Sequence, residues 1–311
     1  MRLGIVDLGT NSVRFAVYEL RSGKKLLRLH REKAPTRLGT GVFTDRRLDK
    51  LAVKRTLRAF ERFRRIADEL RATRIVAVAT SVLREAHDAE DLIQSIRDKT
   101  GIRVRVISGA EEARLIARGV LENEVSLHEH FALIDIGGGS TEITICRRNV
   151  PKFTWSFPLG SSRLNQLFLI DPDEMTPRDR DIEKLREYTR VQVHKKLWRE
   201  LRQPTKRVVG SGGTIKAICR IVRKCWGEEE LSLRRLTQLV AKISRMTPAK
   251  LKDVPGMDPT RLDIILSGAL LLEELMHTLG AKVLVPTSYS LRDGLLAQEV
   301  ESDELSRMLH S

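Results

Sequence analysis

The chain has 311 residues, 41% hydrophobic and 31% charged, enough for two domains with their own cores and ordinary for a globular protein. Asp7 and Arg14 interrupt any leading apolar region, and the longest apolar stretch, near Ile264 to Leu272, is too short to cross a bilayer, so neither a signal peptide nor a membrane span is expected. The net charge is +15, of which +10 falls in residues 1–124, where 27 basic residues stand against 17 acidic ones.

In chain order, residues 3–7, 13–20 and about 26–34 read as strands, the last two joined across Arg21-Ser22-Gly23-Lys24. Arg37-Leu-Gly-Thr-Gly41 is a loop. Leu48 to Arg71 has the period of an amphipathic helix, with Leu51, Leu57, Phe60, Phe63, Ile66, Ala67 and Leu70 on its buried side. Its other face carries Lys50, Lys54, Arg55, Arg58, Arg62 and Arg65, either a solvated face or a track for a polyanion. A strand at 74–79 ends in Thr80-Ser-Val-Leu-Arg84, and a helix at 88–99, a strand at 102–107 and a helix at 109–122 follow. The order then restarts. Strands are expected at 132–136, 142–147 and 152–158, a helix from Arg178 to Leu201, a strand at 206–209, and Gly210-Ser-Gly-Gly-Thr214 opening a helix to Cys225. Helices near 232–245 and 259–279 look inserted before a last strand, 282–285, and a final helix from 290 to 300. Strands alternating with helices mean an α/β fold with largely parallel sheets. The polar stretch from Asn123 to His130 divides a lobe at 1–124 from one at 125–311.

Two stretches share one layout. Ala132 to Ile145 runs apolar into Asp135, turns through Gly137, Gly138, Gly139 and Ser140, and returns through Glu142. Leu3 to Ser12 does the same with Asp7, Gly9, Thr10, Asn11 and Ser12, the first stretch lying 128 residues after the second. Glycine turns expose amide N–H groups to a phosphate, and Asp135 and Glu142 flank theirs with carboxylates that suit a hard cation. One such turn is as well explained as a tight hairpin; two imply a duplicated domain with paired phosphate-facing loops. This is the actin-like (ribonuclease H-like) two-lobe architecture, with its ligand in the cleft between lobes.

Gly210, Ser211, Gly212 and Gly213 form a further amide-rich anion seat at a helix start, with Lys216 either reaching a phosphate or lying on the surface. Arg84 sits at another strand-to-helix junction, where cleft residues tend to lie. Ser108 and Glu111 have capping-box spacing. Glu112 shares a helical face with Leu115, Ile116 and Gly119, which suits either a general base or a half-buried, ion-paired carboxylate. No Gly-x-Gly-x-x-Gly or Walker loop occurs, excluding a Rossmann site or P-loop. His128-Glu-His130 reads as solvated, and His87-Asp88 lacks further metal-ligand partners. Three cysteines without CxxC spacing fit a reducing cytoplasm. The charge surplus either serves solubility or draws a polyanion; aromatics at 5% offer no base-stacking platform, so nucleic acid is not the expected partner.

These motifs resemble the exopolyphosphatase/guanosine pentaphosphate phosphatase (Ppx/GppA) family. The resemblance runs through Val6 to Ser12, Arg37 to Gly41, Ala79 to Arg84, Ile107 to Ile116 and Ile134 to Glu142. It continues through Pro158-Leu-Gly-Ser161, Gly210 to Lys216 and Leu291-Arg-Asp-Gly-Leu-Leu296. It implies a hydrolase removing terminal phosphates from inorganic polyphosphate or guanosine pentaphosphate with Mg²⁺ or Mn²⁺. Glu112 is implied as the base, and Glu142 as lining the site with Asp135. The chain ends before the C-terminal helical domains of longer relatives, and a cytoplasmic homodimer is expected. Two other classes stay open: a small-molecule kinase of the same fold, and a non-catalytic polyanion-binding protein.

Overall fold

The computed structural model describes residues 1–20, 26–124, 130–170, 176–197, 205 and 207–309. The turn expected at 21–24, His128 and the end of the helix expected to reach Leu201 lie outside them. In the first half come strands β1 (Arg2–Leu8), β2 (Val13–Leu20) and β3 (Leu26–Ala34), then helices α1 (Val42–Asp45) and α2 (Lys50–Glu69). After these follow β4 (Arg74–Ala79), α3 (Ser81–Glu85), α4 (Ala89–Thr100), β5 (Val104–Val106) and α5 (Gly109–Leu121). The second half repeats this as β6 (His130–Ile136), β7 (Thr141–Arg147), β8 (Val150–Phe157), α6 (Ser161–Leu164) and α7 (Asp179–Leu197), with β9 (Arg207–Ser211) and α8 (Gly212–Trp226). It adds β10 (Leu231–Ser232), α9 (Leu233–Ile243), α10 (Pro248–Leu251) and α11 (Ile265–Leu279), then β11 (Val283–Pro286) and α12 (Leu291–Leu309).

The sheets run β3-β2-β1-β4-β5 and β10-β11-β9-β6-β7-β8. In each, an antiparallel meander of three strands continues into two parallel strands, the first paired with the central strand and the second with the first. Among the described strands only β10, on the second sheet's edge, has no counterpart. The central strands β1 and β6 are buried from their second residue onward, so their Asp-bearing ends are fixed from both faces.

Asp49 caps α2 by accepting from the Ala52 amide at 2.7 Å. The helix buries Ala52, Thr56, Ala59, Phe60, Phe63 and Ala67, Phe63 stacking on Phe15 at 4.8 Å. Leu51, expected inside, is 65% exposed, because the small Ala52 and Ala59 let the helix lie one residue round. The basic face from Lys50 to Arg65 is exposed as a solvated face would be. The helix expected across 259–279 breaks instead: a 3₁₀ turn at Pro259–Arg261 precedes α11, which is buried along most of its length. Glu273 and Glu274 on α11 each bond Arg186 of α7 at 2.6 Å, which is how two carboxylates survive inside.

One core region joins the halves. Ile116 and Val120 of α5, Leu295 of α12, Ile5 of β1 and Leu133 of β6 pack together. Here α5 and α12 cross closely: a Cβ on Gly119 would stand 2.5 Å from the Ser290 carbonyl, and one on Gly294 would fall on the Leu115 carbonyl.

Candidate active site

The two hairpins close with the same hydrogen bond. Gly9 N–H donates to the Ser12 carbonyl at 3.2 Å, and Gly137 N–H to that of Ser140 at 3.0 Å. Among the described residues, the amides of Thr10, Asn11, Gly138 and Gly139 have no acceptor, which leaves them for a ligand. Asp7 and Asp135 are buried yet open on the cleft between the turns. Register places Arg14 opposite Asp7 and Glu142 opposite Asp135. The duplication is therefore chemically asymmetric: Arg14 Nη1 lies 3.4 Å from Asp7 Oδ2, whereas Asp135 faces a second carboxylate.

The turns also meet each other. A Cβ on Gly138 would stand 2.7 Å from Thr10 Cβ, and one on Gly139 2.5 Å from Ser81 Oγ. Ser162 Oγ donates to Asn11 Oδ1 at 2.8 Å, and Arg163 Nε to the Gly139 carbonyl at 2.8 Å. Arg163 also pairs with Glu85 at 2.9 Å and lies 4.3 Å from the Phe43 ring. The loop from Arg37 to Gly41 clamps the first hairpin, Gly39 N–H donating to the Thr10 carbonyl at 2.9 Å. Arg37 reaches Asp263 in the other half at 2.7 Å.

Glu112 enters the cleft from the first turn of α5. Arg84 Nη1 donates to its Oε2 and to the Ile107 carbonyl, both at 2.9 Å. Burial pushes the Glu112 carboxyl up to about 7 despite Arg84, and Asp135 and Asp7 push the same way. Glu142 is raised well above the ordinary range, first by burial and then by Glu112 and Asp135. Asp135 is raised by burial, with the Ser211 hydroxyl and the Arg14 charge pulling it back. Ser108 caps α5 at the Glu111 amide, 3.1 Å, but the Glu111 carboxylate pairs with Arg105 at 2.6 Å instead of returning to close a capping box.

Raised carboxyl pKa values make the ligand-free fold weaker at high pH. The folded protein holds protons that the unfolded chain would release, so this contribution is complete below about pH 4.5 and is lost as pH rises through about 7. For Glu112 it amounts to on the order of 3 kcal/mol. The melting temperature of ligand-free protein should fall from pH 5 to pH 8, and Glu112→Gln should flatten that slope. An unchanged slope in the variant would remove Glu112 as its source.

The cleft gathers Asp7, Gly9, Thr10, Asn11, Ser12, Glu112, Asp135, Gly137, Gly138, Gly139, Ser140, Gly212 and Gly213 from the residues singled out in sequence. Others fall outside its lining. Arg84 stands behind Glu112, and Glu142 is 3% exposed with Ser156 Oγ donating to it at 2.8 Å. Gly210 and Ser211 belong to β9: a Cβ on Gly210 would stand 2.7 Å from a Leu284 methyl, and Ser211 Oγ donates to the Tyr289 carbonyl at 2.8 Å. Lys216 donates to the Ser288 carbonyl at 3.0 Å and borders a neighbouring cavity. Asp88 has a structural role, accepting from the Leu48 amide at 3.1 Å.

Arg14, Arg261 and Ser290 line the cleft without having been anticipated. Arg14 was findable, since the 128-residue repeat sets it over Glu142. Arg261 was not, for its burial follows from tertiary packing alone. Beside the cleft, Arg14, Arg31, Lys33, Lys216, Arg220, Arg261 and Arg292 border a groove whose one acid is Asp258. Arg261 is brought down to about 10 by burial and then by Arg14, and Lys33 and Lys216 are lowered for the same kinds of reason. Arg292 Nε is buried there without a partner.

Among the described residues no three acid, histidine or cysteine side chains converge as a ready metal cage. Asp7 and Asp135 on one cleft nevertheless fit a hard divalent cation, which takes one or two carboxylates and completes its shell with phosphate oxygens and water. Residues 16–303 match the model of the Ppx/GppA phosphatase family. The chain belongs to that family. This phosphatase is 27% identical to Exopolyphosphatase 1 of Mycobacterium tuberculosis, over 97% of the chain and 89% of the relative. It is 28% identical to Exopolyphosphatase 2 of the same organism, over 94% and 97%. It superposes on the crystal structure of an exopolyphosphatase from Cytophaga hutchinsonii with a TM-score of 0.88 at 25% identity, covering 97% and 98% of the two chains. The actin-like two-lobe fold expected from the repeated hairpins is that of the family. No described helix is long and apolar enough to cross a membrane.

Proposed function

We propose that this Ppx/GppA phosphatase is an exopolyphosphatase, releasing terminal orthophosphate from inorganic polyphosphate. The carrying observation is the groove of seven cations and one acid that opens beside the catalytic cleft. A linear chain of phosphates fits such a groove, its end reaching between the hairpins and its remaining charges meeting arginine and lysine. Among the described residues no aromatic side chain lines the cleft or the groove, so a guanosine would gain little there.

In this proposal the free amides of Thr10, Asn11, Gly138 and Gly139, with the start of α8, hold the terminal phosphoryl oxygens. Asp7 and Asp135 hold a divalent cation, Mg²⁺ or Mn²⁺, which when bound neutralises charge on those oxygens. Glu112, in its water-poor pocket, takes the proton of the attacking water, and Arg84 fixes its carboxylate. The water oxygen bonds to phosphorus as the bridging P–O bond breaks, the electron pair of that bond going to the terminal oxygen of the shortened chain. Glu142 acts from behind, through Asp135 and the turn.

Phosphate release from polyphosphate and from guanosine pentaphosphate, as kcat/KM at one Mg²⁺ concentration with products resolved on a gel, tests the assignment. Polyphosphate should be the better substrate and should shorten from its ends. A preference for guanosine pentaphosphate, internal cuts, or phosphate transferred to an alcohol would overturn it. Affinity for polyphosphate should fall by about 10-fold or more between low and high salt. A flat salt response would reduce the groove's charge to a solubility feature.

A further inference from the structure

Among the described residues three cavities share lining residues with the cleft and none with one another; the one past Asn11 holds a single cation, Arg37, paired with Asp263, whereas the other two carry a surplus of basic side chains. One is the basic groove. The other lies beyond Ser81 and Ser140, which line both it and the cleft, and measures about 860 Å³ including its open mouth. Arg84, Arg163 and Lys196 border it against one acid, Glu85, and the first residues of α5, Gly109 and Ala110, complete that wall. Cavity and cleft share a partition. It consists of Ser81 and Ser140 side by side with the Arg84–Glu112 pair, whose arginine faces the cavity and whose glutamate faces the cleft.

Cleavage at the end of a chain creates a topological problem. If the chain occupies the basic groove, orthophosphate forms at the inner end of the cleft, with the remaining chain between it and the groove. Leaving by the groove would require the chain to dissociate at every turnover. We propose that the rear cavity is the exit path for orthophosphate, an inference that rests on the exopolyphosphatase reading above. The anion would pass Arg84 at the partition and meet Lys196, which is exposed at the cavity and donates to the Ser156 carbonyl at 3.3 Å. Ser81 and Ser140 come from opposite halves of the molecule, so a slight parting of the lobes widens this passage, and the groove, to which both halves contribute cations, holds the chain through either set. The enzyme then removes successive phosphates from one chain.

Two substitutions in the full-length protein test the path. Ala110→Trp fills the cavity from an exposed position on its wall, and Lys196→Glu reverses its outermost charge. With medium-length polyphosphate and Mg²⁺, acid quench reads orthophosphate formed on the enzyme in one turnover, and a fluorescent phosphate sensor reads orthophosphate released. Both variants should form orthophosphate at the wild-type rate and release it roughly 10-fold more slowly. On a gel they should also accumulate chains shortened by a few residues, because the chain must now let go for the product to leave. If Ala110→Trp fails to fold, the exposed Lys196→Glu decides alone. Release as fast as wild type, or formation and release slowed equally, overturns the exit path. Absence of orthophosphate in the wild-type quench overturns instead the exopolyphosphatase reading, and the path with it.

Discussion

Glu112→Gln is expected to lower kcat by roughly 10²-fold or more while polyphosphate still binds. Gln keeps the length of the side chain and a hydrogen-bond acceptor for Arg84, so the geometry of the partition survives. What it loses is the basic carboxylate. The substitution also removes one of the acids that raise Glu142, leaving the buried cluster less crowded with negative charge. Stability should therefore hold or rise near neutral pH while activity collapses, a combination that misfolding cannot produce. Measured together, kcat, a binding titration and a melting temperature decide the matter. Near wild-type turnover with Mg²⁺ present would show that another group takes the proton.

Gly294→Val should be the most damaging single change away from the cleft. Any Cβ at this position falls on the Leu115 carbonyl, which is backbone of α5 and cannot swing aside as a side chain would. Either α12 lifts from α5, exposing Leu291 and Leu295, or α5 shifts and carries Glu112 with it. Overpacking of this kind costs about 3 kcal/mol or more. Thermal melting should show that loss, and the residual folded protein should have reduced kcat because the base is displaced. Gly227→Ala is the matched control: its φ of 73° disfavours a side chain, but a Cβ there meets nothing within 4 Å. That change should cost about 1 kcal/mol and leave kcat alone. Equal effects from the two substitutions would mean that the crossing of α5 and α12 yields at Gly294 and that the clash does not carry the loss.

Much of the architecture was legible because its signals are local. Period-2 and period-3.6 patterns marked the strands and helices, and the repeat at 128 residues marked the paired hairpins before any contact was known. The misplacements came where packing chose between equivalent local options. Leu51 and Ala52 are both plausible inward residues, and only the approach of α2 to Phe15 selects the alanine. The stretch from 259 to 279 has helical composition throughout, yet Arg261 turns inward toward Arg14, and the helix begins at Ile265.

The glycines divide in the same way. Gly9 and Gly137 could be assigned from the chain alone, because a turn returning to its own strand is closed by residues three apart. Gly138 and Gly139 carry a second duty that no local pattern announces: they let one hairpin touch Thr10 on the other and Ser81 at the start of α3. Gly210 sits in the same kind of motif, but its lack of a Cβ makes room for Leu284.

The sequence by itself determined the two-lobe α/β plan, the twin Asp-bearing hairpins and Glu112 as the carboxylate facing inward, since each shows in a local period or in a layout repeated along the chain. The tertiary structure alone decided that Glu142 lies behind the cleft, that Arg14 breaks the symmetry of the repeat, and that Arg31, Lys33, Arg261 and Arg292 converge on one groove. Those facts depend on distances between segments far apart in the chain, and they are fixed by how two sheets pack around α5 and α12, which no periodicity encodes.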